Sequence, residues 1–305
     1  MNVLVLLSTY NGEKFLREQL DSIMSQRDVN VFLMVRDDGS TDQTCEILKE
    51  YERKFPNITW EASENIGFAG SFSRLLEMAL ASPLDVDYYA FVDQDDVWLP
   101  NKLKIACDEL SQLDQRLPIL FSSNSLYVDE HLNPMGLFHP IEPYRTKENV
   151  MLYPTEQGCS MVFNRKTIER YLEHPPVVTW HDRWLCLICN FFGEMRYCHT
   201  PLFYYRIHGN NALGKVNATL WQRLWGDIKL LVMPQVSKNL SMIKEFYEVW
   251  GASLDETTKD KIETYIYYPQ SYRNKLKLIF CQEYQHSHSL LDRCRKAILV
   301  LSNKL

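Results

Sequence analysis

Nothing in the 305-residue sequence approaches the roughly 20 consecutive apolar residues that a membrane-spanning helix needs. The apolar opening at residues 3–7 is too short for a signal peptide and lacks a basic segment before it, so it reads as a first buried strand. Excess basic charge is also missing. Lys and Arg number 33 against 39 Asp and Glu, a net charge of -6, which leaves no footprint for the phosphate backbone of nucleic acid. The eight cysteines lack the doubled close pairs of a zinc ribbon. Cys186 and Cys189 form a single C-x-x-C inside an apolar run and are expected to pack as reduced thiols. Internal repeats and low-complexity tracts are absent. What is present is an ordinary globular composition, 46% hydrophobic and 24% charged, which excludes a disordered chain.

Through the first hundred residues, short apolar strands alternate with helical spacing. This is the pattern of an α/β fold with a mostly parallel sheet and helices on both faces. Strands are expected at residues 3–7, 31–35, 58–62 and 88–92, and helices at 13–26, 41–55 and 72–81. A helix over 101–113 and a strand near 119–124 follow. Residues 129–153, with several Pro, His and Asn, read as an irregular loop. Beyond about residue 215 the chain is helical, charged and poor in glycine.

Loops leaving the carboxyl ends of parallel strands form the ligand crevice of such sheets. Three of them carry polar motifs. Ser8-Thr9-Tyr10-Asn11-Gly12 follows the first strand, Asp37-Asp38-Gly39-Ser40-Thr41-Asp42 the second, and Asp93-Gln94-Asp95-Asp96 the fourth. Three carboxylates within four residues repel one another unless a cation sits between them, and Mg²⁺ or Mn²⁺ chooses such acids together with substrate phosphates. A solvated acidic turn has the same spelling, but its position after a buried strand favours the metal. Gly39 permits a turn from which Ser40 or Thr41 can cap the next helix. That explains the turn but not the two acids before it, and Asp38 could accept from the imide N–H of uracil or thymine.

Farther on, His181-Asp182 lies between Trp180 and Trp184, where desolvation would raise an acid toward the working range of a general base; a structural hydrogen bond is the plainer alternative. Arg206 and His208 precede Gly209-Asn210-Asn211 and offer a cation and a switchable imidazole to a leaving diphosphate. A nucleotidyltransferase would also use an acidic metal site, but its Gly-rich phosphate loop with Lys or Arg is absent.

Taken in order, these motifs resemble the family 2 glycosyltransferases, whose nucleotide-binding fold is called GT-A, over residues 2–214. The resemblance implies an inverting, metal-dependent transfer of a sugar from a nucleotide diphosphate to an acceptor hydroxyl. On this resemblance, residues 1–100 bind the nucleotide-sugar, residues 101–214 the acceptor, and residues 215–305 form a helical extension. Ser8, Thr9, Tyr10, Glu13 and Asp38 would line the nucleotide pocket, with Asp38 on the base. Asp93, Asp95, Arg206 and His208 would meet the rest of the donor. Asp95, Asp96 and His208 would hold Mn²⁺ or Mg²⁺, and Asp182 would be the catalytic base.

The spellings Asp93-Gln94-Asp95-Asp96-Val97-Trp98 and Tyr205-Arg206-Ile207-His208-Gly209-Asn210-Asn211 are most similar to bacterial rhamnosyltransferases of surface polysaccharides. One departure is Arg183, where those relatives carry a second aromatic. dTDP-L-rhamnose is the implied donor and a lipid-linked carbohydrate the implied acceptor, with a UDP-hexose donor or a non-catalytic nucleotide-binding scaffold as alternatives. A cytoplasmic protein that meets the inner membrane face through its C-terminal tail is expected: residues 219–225 and 228–233 lie on the membrane or pack on the domain, and the basic Arg293, Arg295, Lys296 and Lys304 near the end keep the membrane reading open.

Overall fold

A computed structural model describes residues 1–143, 145–153, 155–177, 180–209, 238–285 and 290–305. Residues 219–225 and 228–233, expected at a membrane surface, lie outside the described residues, as do Asn210 and Asn211. Two compact units emerge. One combines Met1–Ile141 with Glu156–His208, the other Glu142–Thr155 with Gly209–Leu305.

In the first unit the apolar runs become a parallel core. β1 (Asn2–Thr9) pairs in parallel with β2 (Asn30–Asp37) and β4 (Tyr88–Val92), and β2 pairs in parallel with β3 (Ile58–Ala62). Strands buried on both faces need apolar residues at every position rather than at alternate ones, and β1 meets that requirement. Val3, Val5 and Leu7 join a cluster with Leu16, Leu20 and Ile23 of α1 (Leu16–Met24) and with Ile47, Leu48 and Tyr51 of α2 (Thr44–Lys54). Leu4 and Leu6, on the other face, are just as buried, and α3 (Gly67–Ala81) packs on that strand. There Phe72 meets Phe91 with ring centroids 4.8 Å apart.

The sheet then changes direction. Its strand order is β3-β2-β1-β4-β8-β6-β9-β5, with β7 added beside β6. The two-residue β8 (Val162–Phe163) runs antiparallel between β4 and β6 (Ile119–Val128); β9 (Glu194–Arg206) lies parallel to β6. β5 (Val97–Trp98) pairs antiparallel with β9. Because β1 leads to β2 on one side and to β4 on the other, the order reverses between β1 and β4. Open α/β sheets bind ligands outside such a reversal.

Several boundaries differ from those the sequence predicts. Residues 129–153, expected to be irregular, hold β7 (Pro134–Leu137) and, in the second unit, α5 (Lys147–Leu152). Each is too short to show a period, and α5 is set by its cap, Thr146 Oγ1 accepting from Asn149 N at 3.1 Å. Neither Ser40 nor Thr41 caps α2, which starts at Thr44. The Ser40 hydroxyl instead donates to Asp37 Oδ1 and accepts from Asn11 N, and Asp42 Oδ1 accepts from Thr44 N. Gly39 does adopt a left-handed conformation, φ 83°. α3 starts earlier than predicted because Asp38, on another strand end, accepts from Ile66 N and Gly67 N at 2.9 Å each.

α4 (Lys102–Ser111) packs over β6, and α6 (Arg165–Glu173) lies against α7 (His181–Phe192). All eight cysteines are free, and Cys186 and Cys189 are buried within α7. The second unit adds α8 (Lys238–Trp250), α9 (Glu256–Ile266), α10 (Tyr272–Phe280) and α11 (Leu290–Leu301). Within it, Asn239 Nδ2 donates to the last carbonyls of α5, Met151 O and Leu152 O, at 3.1 Å each. No described helix is long and apolar enough to cross a membrane.

The end of α7 tests the packing. A Cβ on Gly193 would lie 1.7 Å from Pro118 O, a backbone atom held in place by its hydrogen bond from Glu194 N. Gly193→Ala is expected to cost about 2–3 kcal/mol of stability, measured by urea unfolding, because the strands must part to admit the methyl. A change within about 0.5 kcal/mol, the range of an indifferent surface site, would refute this packing.

Candidate active site

Beyond the ends of β1 and β2, two loops are tied to each other. Asn11, in the left-handed region at φ 48°, turns its side chain so that Oδ1 accepts from Thr41 N at 2.8 Å. Gly12 N donates to Thr44 Oγ1, Glu13 N to Asp42 Oδ2, and Gln43 N back to Glu13 Oε2. Across the reversal, the Gln94 side chain pairs with the Tyr10 backbone in both directions: Tyr10 N donates to Oε1 at 2.9 Å and Nε2 donates to Tyr10 O at 3.0 Å. A Cβ on Gly12 would fall 2.4 Å from Gln94 Oε1, so a larger residue there would push the Gln94 amide out of this clasp. The Tyr10 ring stays 49% exposed at the crevice.

The other expected pocket residues are mostly engaged inside. Thr9 Oγ1 donates to Asp37 Oδ1 at 2.9 Å, and Ser8 Oγ lies 2.7 Å from Ser71 Oγ. Asp38 is only 2% exposed and accepts from Arg36 Nη1 as well as from the start of α3. Where a contact to the base is expected, the structure has a carboxylate whose two oxygens already take three hydrogen bonds. Arg36 also donates to Ser71 Oγ and Glu64 O.

The acidic loop is the most strained part electrostatically. Asp96 is fully buried; its Oδ1 accepts from Arg206 N at 3.2 Å while Oδ2 has no partner. Asp93, Asp96 and Cys159 each direct a donor atom into a cluster within 4.8 Å. Burial pushes the Asp93 carboxyl up to about 7, helped by the charges of Asp95 and Asp182. Burial, with Asp95 and Asp93 beside it, also drives Asp96 well above the carboxylate range. The Cys159 thiol is raised by burial too, so it stays neutral and is a poor ligand for a hard cation. The expected metal set is therefore divided. Asp96 sits with Asp93, while Asp95 Oδ2 lies 2.7 Å from His208 Nε2. The charge of Asp95 still acts on both of those acids, so one neighbourhood holds all four groups.

Two cations brace the loop, only one of them among the sequence candidates. Arg206, expected at a diphosphate, is 1% exposed and turned inward. Its Nε donates to Asp95 O at 2.8 Å, Nη1 to Glu130 O at 2.6 Å and Nη2 to Glu18, with the guanidinium 4.4 Å from the Phe15 ring centroid. A planar fork of donors can fix three chain segments at once, which makes it an organiser of the acidic loop. Lys102 is fully buried, donates to Cys159 O at 3.1 Å and sits 3.6 Å over Trp98; burial pulls it down to about 7. Its sequence position carried a signal that went unread. A lysine at the first position of a helix opposes the helix dipole and needs an anion nearby.

Asp182 reaches the same place from the far side. It stands in the first turn of α7, Oδ1 accepting from Arg183 N at 2.8 Å. Its neighbour His181 stacks on Phe72 at 4.4 Å and meets Phe91 edge-on at 5.2 Å, packed as a buried ring that burial keeps neutral. A Cβ on Gly158 would lie 3.1 Å from Asp182 Cβ, so the chain passes directly beneath the acid and one residue later supplies Cys159 to Asp93 and Asp96. The arrangement brings together the Asp182 carboxylate, an acidic cluster, and an exposed aromatic on a loop at the topological reversal.

Comparison with known proteins identifies the family. The Glycosyl transferase family 2 model matches residues 4–172. The chain belongs to glycosyl transferase family 2. A dTDP-rhamnosyl transferase RfbG of Shigella flexneri is 28% identical over 223 residues, 68% of this chain and 73% of that one. The putative glycosyltransferase EpsH of Bacillus subtilis is 24% identical, covering 72% and 65%. Among solved structures, S. aureus TarS 1–349 in complex with UDP-GlcNAc superposes with a TM-score of 0.62 at 17% identity, over 100% of this chain and 82% of that one. The Pyrobaculum calidifontis mannosyltransferase PcManGT in complex with GDP-Man and Mn²⁺ gives 0.52 at 17%, over 90% and 71%. The family 2 glycosyltransferase fold is thus the GT-A fold expected from the motifs, and the chain is a glycosyltransferase.

Stability should follow pH in a direction set by the acidic loop. Folded Asp93 keeps its proton to about pH 7, whereas an ordinary aspartate loses it near 3.8. Between those values the folded chain binds more protons than the unfolded one, so stability falls as pH rises through that window. Asp93→Asn should flatten the fall in metal-free thermal melts; a slope unchanged by the substitution would exclude a proton-holding Asp93.

Proposed function

We propose that this glycosyltransferase inverts the anomeric centre as it transfers L-rhamnose from dTDP-L-rhamnose to a hydroxyl of a growing, lipid-linked surface polysaccharide. The observation that carries the reading is the meeting of Asp182 with the acidic loop through Gly158 and Cys159. It supports a base and a diphosphate site a short distance apart. Asp182 takes the acceptor proton as the hydroxyl oxygen bonds to the anomeric carbon, and the bond to the diphosphate breaks on the opposite face. A single base, Asp182, is what single displacement requires.

Asp96, Asp95 and His208, with Asp93, would hold Mn²⁺ or Mg²⁺, and the unpartnered, buried Asp96 Oδ2 is the feature that fits a cation. Bound, the cation supplies charge neutralisation at the diphosphate. Tyr10 would face the base from its exposed position, with Ser8, Thr9, Glu13 and Asp38 shaping the pocket from behind. Arg206 would act by holding Asp95 and Asp96 in place. The rhamnosyl donor is supported by the 28% identity to the Shigella flexneri protein; a UDP-hexose is the alternative donor. A cytoplasmic site of action at the inner membrane face suits a lipid-linked acceptor.

Nucleotide release from dTDP-rhamnose, UDP-glucose, UDP-galactose and UDP-N-acetylglucosamine, with Mn²⁺ or with EDTA, tests the proposal. Turnover of dTDP-rhamnose is expected, lost in EDTA and in Asp96→Asn. Acceptor transfer by Asp182→Asn should fall about 10²- to 10⁴-fold in kcat with little change in donor KM, the size of effect expected when general base catalysis is removed. Full activity in EDTA would overturn the metal, release from a UDP-sugar alone the donor, and wild-type transfer by Asp182→Asn the base.

A further inference from the structure

The last 35 residues have a charge opposite to that of the rest of the chain. Residues 271–305 contain seven Lys and Arg against two Asp and Glu, while the other 270 residues contain 26 against 37. Within this basic stretch α10 packs against α11, and Lys275 Nζ, on α10, donates to Leu301 O at the end of α11 at 3.4 Å. The inner side of α10 is conventional: Leu278 is fully buried and Lys275 nearly so.

The outer side is not. Tyr272, Leu276 and Phe280 are 82%, 54% and 75% exposed, and their spacing of four puts them along one face of the nine-residue helix. Ile298 and Leu301 are more than half exposed on α11, three residues apart. Arg273, Arg293 and Arg295 are exposed in the same two helices. A soluble helix turns its large apolar residues inward, and clustered exceptions mark an interaction surface.

We infer that the outer face of α10 and α11 docks on an anionic lipid surface. Aromatic and aliphatic side chains set among arginines suit the boundary between acyl chains and phosphates, where apolar burial and attraction to anionic headgroups act together. Self-association through this face would bring two net-positive surfaces together, which like-charge repulsion disfavours. The inference rests on and deepens the reading of a lipid-linked acceptor, and it narrows the expected contact of the C-terminal tail to α10 and α11.

Sedimentation of the full chain with vesicles of phosphatidylcholine alone, and of phosphatidylcholine mixed with phosphatidylglycerol, tests it. Wild type should bind the mixed vesicles at least ~10-fold more tightly, and added salt should weaken binding. Leu276→Glu/Phe280→Glu and Arg273→Glu/Arg293→Glu should each lose ~10-fold or more, while releasing nucleotide from the sugar donor at the wild-type rate in solution. That rate shows that the variants are folded; its absence in wild type would count against the transferase reading and leave the vesicle result standing. Equal binding to both vesicle types, or undiminished binding by both variants, would overturn the proposal. So would an oligomer, seen by light scattering, that the variants abolish in the absence of vesicle binding.

Discussion

Holding Asp96 out of water beside two further carboxylates, the half-buried Asp93 and Asp95, is the constraint on which the crevice depends. Ionising crowded, poorly solvated acids is costly, and burial and mutual repulsion push the Asp93 and Asp96 carboxyls up, toward the protonated form. The surroundings limit that cost without removing it. Arg206 N donates to Asp96, its guanidinium ties the Asp95 carbonyl to Glu130 and Glu18, and Lys102 lies close enough to feel both Asp93 and Asp96. One oxygen of Asp96 is still left without a partner. An electrostatically incomplete site of this kind suits the cation proposed for it, because a positive ligand would supply the partner that Asp96 lacks.

The parallel sheet explains why this incompleteness sits at an accessible edge. Leu7 pairs with Val92 and Thr9 with Asp37, so the polar residues that follow each strand leave the sheet at nearly the same level. Each loop is then held by its neighbours rather than by itself. Gln94 clasps the Tyr10 backbone, Asn11 reaches Thr41, and Asp38 receives the start of α3. Rigid loops on a rigid scaffold keep the acids near one another despite their repulsion, which is the preorganisation that electrostatic catalysis needs.

Much of the first unit was legible because burial is periodic and local. A strand covered on both faces must be apolar throughout, so β1, β2 and β4 stand out by composition, and the acids at their ends stand out by contrast. Legibility failed where structure depended on distant partners. The two-residue β8 has no period to detect, yet it reverses the direction of pairing between β4 and β6. The start of α3 depends on Asp38, 28 and 29 residues earlier. Arg206 looked like a free cation because its partners, Asp96 and Glu18, are 110 and 188 residues away.

By itself, then, the sequence determined the strands β1 to β4 and β6, their order of appearance and the chemical character of the loops that follow them, because hydrophobic patterning acts between residues close in the chain. Tertiary structure alone decided which charges are buried, which cation braces them and which aspartate meets the acidic loop from the opposite side. Ionisation and hydrogen bonding depend on distances of a few ångströms between residues a hundred or more positions apart, and the linear order carries no record of those distances.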